Sequence, residues 1–254
     1  VAGIRDVGKA VHSVIHPGFM TRKLERGITL IEVALVLGVS ALILGLVLQG
    51  QSLIASSRVR WVMTFGEKVQ TAFFAFQDRY RAMPGDYANA TQSIRGVSFN
   101  GNGNGRIEVN GAATGAPLTP FESLLAWNHL SQSGFLAESY TFDPSRPAVG
   151  LAANVWGGYA DIAFDSNYGD PASAGAVVAR HNLKTGNYIP AVVLLEVDRK
   201  LDDGNALTGR FQFSDKAWAG ANPQGPGVTG GCVTAGGQWS LQGSVVNCGG
   251  AWLL

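Results

Sequence analysis

The sequence predicts an α+β protein in which one long N-terminal helix is packed on an antiparallel β-sheet. Three patterns point there. An apolar run from Ile28 to Leu48 is broken by a single charge, Glu32. Beyond it, Val59, Val62, Phe65, Val69, Phe73, Phe76 and Tyr80 recur at steps of three and four, the spacing of one helix face. In the C-terminal half, short alternating and β-branched runs are separated by turn signals, as in an antiparallel sheet.

Composition agrees with an anchored chain. Of the 254 residues 46% are hydrophobic and only 15% charged, with a net charge of +1. An ordinary soluble domain carries about 25% charged residues. Near-neutrality speaks against nucleic-acid binding, which needs a basic face. The length accommodates an anchor and one sizeable domain, or two small domains.

The apolar run would span roughly 30 Å as a helix, enough to cross a bilayer core. "MTRKLERG" precedes it, with Arg22, Lys23 and Arg26 set against Glu25, and such a basic flank stays cytoplasmic. A cleaved secretory signal would have a shorter apolar core and a small-residue cleavage site. The following "QGQSLIASSRVRW" offers only "IAS". Glu32 is the anomaly, because a carboxylate in lipid costs roughly 2.5–3.5 kcal/mol.

The helical stripe continues without proline until Pro84, where "MPGD" ends it. One helix from about Ile28 to Arg81 would be roughly 80 Å long, with a transmembrane first half and an amphipathic second half. The chain therefore divides into an N-terminal flank (1–27), the helix (28–82) and a head (83–254).

Within the head, "TPFESLLAWNHLSQSGFL" reads as a second helix. Thr119 caps it, Pro120 takes the first helical position, Glu122 completes a capping box and Gly134 supplies the left-handed stop. Phe121, Leu124, Leu125 and Trp127 face the core, and His129 falls at the polar edge. "YADIAFD", "IPAVVLLEVDRKL", "GRFQF" and "GQWSLQGSVVNC" read as strands, with "DDGN" (Asp202–Asn205) as a hairpin turn. Cys232 and Cys248 form no C-x-x-C pair and have no nearby histidine pair for zinc. Outside the cytoplasm a disulfide is the natural reading, with two unrelated buried thiols as the alternative. The flanking glycines, Gly230, Gly231, Gly249 and Gly250, favour a tied loop.

Two segments resemble cation sites. "FNGNGNGRIEVNG" places Asn100, Asn102, Asn104, Gly105 and Ile107 at offsets like those of a calcium loop. Asparagine stands for every aspartate, however, and Gly111 sits where a bidentate glutamate belongs, so a glycine-rich loop is expected. Asp198, Asp202, Asp203 and Asn205 form a better oxygen cluster, although a plain hairpin with solvated aspartates remains the simpler reading. No catalytic residue, metal or cofactor is expected. Neither His129 nor His181 lies near a nucleophile motif, and "GNGNG" does not open a helix.

"RG" followed by "ITLIE" resembles the class III signal of type IV pilins and of the type II secretion pseudopilins. The resemblance implies cleavage after Gly27 by a prepilin peptidase and N-methylation of the new terminus, Ile28. Glu32 becomes the fifth mature residue. In a filament its carboxylate would meet the Ile28 amine of a neighbouring subunit, so that two charges costly in lipid become a pair. Glu32 would then set assembly register. The implied protein is a structural filament subunit, not an enzyme. Its partners would be like subunits and other pilins, the peptidase, the bacterial inner membrane and a pilus or secretion assembly platform. It would sit in that membrane as a single-pass precursor and in a periplasmic or cell-surface filament once assembled. The alternatives are a pseudopilin of a type II secretion system, some of which bind calcium in the head, or a membrane-tethered binding or enzymatic domain. Two departures stand out: Ile28 replaces the usual phenylalanine or methionine, and Gly38, Gly45 and Gly50 stand where a helix-kinking proline is common. Val1–Phe19 has no role in this reading, and translation from Met20 would give a short basic leader.

Overall fold

The structure, a computed structural model, describes residues 27–108, 121–143, 150–170, 173–216, 222–227, 230–242 and 244–254. The expected leader up to Arg26 lies outside them. The chain forms two compact units, one up to Gln49 and one from Gly50 to Leu254.

Helix α1 (Leu30–Tyr80) has 51 residues and passes through both units. In the first unit its apolar side chains are exposed on every side, Leu30 at 89% and Leu42 at 70%. This is the one described helix long and apolar enough to cross a membrane. In the second unit the predicted stripe is the buried one: Val59, Val62, Phe65, Val69, Phe73 and Phe76 lie in the core, and Tyr80 packs at its margin. The helix stops one residue before Arg81, which takes a left-handed turn (φ 54°) just ahead of Pro84.

After α1 come α2 (Ala90–Ser93), α3 (Glu122–Gln132), β1 (Asp161–Asp165), β2 (Gly169–Asp170), β3 (Ser173–Val177), β4 (Arg180–Lys184), α4 (Ala191–Leu201), β5 (Phe211–Phe213) and β6 (Gly250–Leu253). The main sheet is antiparallel with strand order β1-β4-β6-β5, and β2 and β3 form a separate two-stranded ribbon. One face of the main sheet meets α1. His181 lies 5.8 Å from the Phe73 ring, and the Trp252 indole abuts Gly66. Helix α3 closes the core beside them through Trp127, which stacks on Phe65 at 6.2 Å.

The structure departs from the strand expectation in the middle of the head. "IPAVVLLEVDRKL" is not a strand but α4, with Pro190 at its N-cap. Ala191, Leu194, Leu195 and Asp198 are buried at helical spacing, as are Val193 and Val197, so the period of the buried face overrides β-branched propensity. Glu196 pairs with Lys200 at 2.9 Å one turn on, and Arg199 and Lys200 stand in the last turn, where they suit the helix dipole. "DDGN" is accordingly the exit from a helix, not a hairpin. Among its described residues "GQWSLQGSVVNC" contributes only isolated bridges, and β4 and β6 are the strands that complete the sheet.

Candidate functional site

At the start of α1, Gly27 lies in open space and Ile28 is exposed. Thr29 caps the helix: its hydroxyl and carbonyl both accept from the Glu32 backbone N–H, at 3.3 and 3.1 Å. Glu32 falls in the first turn, where a carboxylate complements the helix dipole, and it is surrounded by exposed apolar side chains. The three residues singled out by sequence thus fall within six positions at one exposed helix terminus.

The second expected feature is realised directly. Cys232 and Cys248 form a disulfide, with Cα atoms 5.6 Å apart. Cys248 also pairs with Ile189 through two backbone hydrogen bonds of 3.1 and 2.9 Å, so the tie fastens the approach to β6 onto the entry to α4.

Asp198, Asp202 and Asp203 bring carboxylate oxygens within 4.8 Å of one another, an arrangement able to hold a cation. Each of these carboxylates also organises protein. Asp198, fully buried on α4, accepts from the Trp239 indole N–H at 2.6 Å and from the Gly204 N–H at 3.3 Å. Burial pushes its pKa up to about 6 against these donors. Asp202 accepts from the Arg210 and Phe211 N–H groups, and Asp203 from the Asn205 N–H and the Thr208 hydroxyl. Asn205 accepts from the Leu207 N–H instead of joining the carboxylates.

The glycine-rich loop holds what sequence reasoning missed. Asp86, from "MPGD", accepts from the Asn104 and Gly105 N–H groups at 2.9 and 2.8 Å. Glu122 accepts from the Asn102 and Glu108 N–H groups at 2.8 and 3.1 Å. It is therefore a clamp on the loop and not part of a capping box. Helix α3 starts at Glu122 with no side-chain cap, while Thr119, Pro120 and Gly111 lie outside the described residues. Burial raises the pKa of both clamps, that of Glu122 to about 7. His129 is also not at a polar edge. It is fully buried, accepts from the Gly85 N–H through Nδ1 at 2.9 Å, and reaches the Phe99 carbonyl through Nε2 at 3.2 Å. Burial lowers its pKa to about 4.

Comparison with family models, curated proteins and solved structures found no match for this chain.

Proposed function

We propose that the chain is a structural subunit of a type IV pilus-like filament, made as a membrane-anchored precursor, cut after Gly27 and methylated on Ile28. One observation carries the reading: Gly27, Ile28 and Glu32 open a single helix that is apolar and exposed at first and then buries one stripe in a globular head. An exposed apolar segment needs lipid or like neighbours around it. A lone carboxylate within it needs a counter-charge, and the freed amine at Ile28 of an adjacent copy is of the right sign. The leader would remain on the cytoplasmic side of the inner membrane and the disulfide-tied head outside it.

N-terminal sequencing and peptide mass analysis of the membrane-extracted protein test this reading. A methylated Ile28 is the expected terminus, and replacing Gly27 with a bulky residue should block cleavage. A mature chain beginning after Ala55 would show an ordinary secretory signal and overturn the proposal. The proximity of Asp198, Asp202 and Asp203 favours a second reading, a pseudopilin of a type II secretion system. Loss of secretion without loss of surface filaments in cells lacking this protein would select it.

A further inference from the structure

The outer face of the main sheet, turned away from α1, carries a charged cluster in which Lys184 and Asp161 are buried and the Asp165 side chain is 20% exposed. Asp161 stands directly opposite Lys184 in the β1–β4 register, and Asp165 lies four residues along β1 on the same face. Ala251 and Leu253 of β6 share that face through their pairing with Lys184 and Asn182, and Tyr168 joins them in an apolar cover. Lys184 is 3% exposed and Asp161 6%. The Lys184 Nζ lies 2.7 Å from Asp165 Oδ2 and 3.9 Å from Asp161 Oδ2. Asp161 Oδ1 is buried without a hydrogen bond of normal geometry, although the Ser123 hydroxyl stands close to it.

In water an ammonium and a carboxylate do not condense, because hydration stabilises both ions. Burial of Lys184 takes away much of the hydration around its Nζ and holds it against the Asp165 carboxylate. Fixed contact between the reacting groups replaces a bimolecular encounter. A third acid supplies what the step still lacks, a proton for the leaving oxygen. Burial raises the pKa of Asp161, which suits it to that part.

We propose that Lys184 and Asp165 become joined by an intramolecular amide bond linking β4 to β1, with Asp161 as the assisting acid. Lys184 first passes a proton to the Asp165 carboxylate, and the freed Nζ lone pair attacks Asp165 Cγ. The Asp161 carboxylic acid protonates the departing hydroxyl, the Cγ–O bond breaks and water leaves. The Asp161 carboxylate then recovers a proton from the nitrogen. The sum is ammonium plus carboxylate giving amide plus water, with Asp161 regenerated, nothing oxidised or reduced and no co-reactant consumed. The filament reading is not needed for this step.

Tryptic mapping of the full purified chain tests it, because trypsin does not cut after an acylated lysine. The expected result is a branched species joining the peptides that carry Asp165 and Lys184, lighter by one water than their sum, with the free peptide His181–Lys184 missing. Recovery of free His181–Lys184 with no branched species would overturn the proposal. Lys184→Arg should abolish the branch. Asp161→Asn should leave Lys184 and Asp165 unlinked while the Cys232–Cys248 peptides stay joined, which reports a folded head. A branch that forms equally well in Asp161→Asn would overturn the role given to Asp161.

Discussion

The Trp252 indole occupies the space that any side chain at Gly66 would need. A Cβ built on Gly66 would clash with Cζ2 and Cε2 of that ring, so the absence of a side chain on α1 is what lets β6 approach the helix. Gly66→Ala should therefore destabilise the head by about 1–3 kcal/mol through overpacking, although alanine is the better helix former. Urea denaturation of a soluble form starting at Gly50 measures this. Unchanged or raised stability would show that the indole moves aside at no cost.

The clamp at Glu122 gives the head a pH signature. Its folded pKa, about 7, stands above its ordinary value of 4.5. The stability it contributes is fully present below 4.5 and lost as the pH rises through about 7. His129 and His181, both lowered to about 4 from 6.5, act in the opposite sense: their contribution is present above 6.5 and lost as the pH falls through about 4. The wild-type Tm alone mixes these effects. The difference between wild type and Glu122→Gln isolates one of them, and it should shift against the wild type as the pH rises from about 4.5 to about 7. A pH-independent difference would contradict this.

Reduction of Cys232–Cys248, 16 positions apart in sequence, should cost about 3 kcal/mol on the loop-entropy estimate. Non-reducing peptide mapping should recover the two cysteines on linked peptides. Cys232→Ser with Cys248→Ser should reproduce the loss seen on reduction. A double variant as stable as the parent would remove the loop constraint from the account.

Glu32→Val removes a charge that is expensive in lipid, so membrane insertion should be as good or better. Cleavage after Gly27 should continue. Filament yield should fall, because the neighbouring Ile28 amine is left without a partner in a low-dielectric bundle. Glu32→Gln should rescue only in part, since it keeps a hydrogen bond and not the charge. Yield after shearing, normalised to processed protein in the membrane, measures this. Full assembly of Glu32→Val would show that this carboxylate does not set register.

Much of the architecture was legible because its signals are local. The stripe from Val59 to Phe76 repeats within one helix, and its burial follows from spacing alone. The identity of α4 was also present, in the Pro190 entry, the Glu196–Lys200 spacing and the basic last turn, but Val192 and Val193 gave the segment a strand-like composition. The loop clamps could not be read in this way. Asp86 and Glu122 meet the same loop from 18 and 20 residues away in sequence, and His129 reaches Gly85 across 44. No short-range pattern distinguishes such a buried acceptor from a solvated side chain. The disulfide was suggested by spacing and compartment, while its anchoring to Ile189 depends on tertiary contacts that periodicity does not encode.

The position of β6 also constrains when the head can form. Although it is the last described strand in sequence, it lies between β4 and β5 and links β5 to the rest of the sheet. A nascent chain lacking Gly250–Leu253 leaves both neighbours with an open edge and Gly66 without its indole. Native pairing of β5 must wait for residues about 40 positions further along the chain, a contact with a high loop-closure cost and correspondingly slow formation.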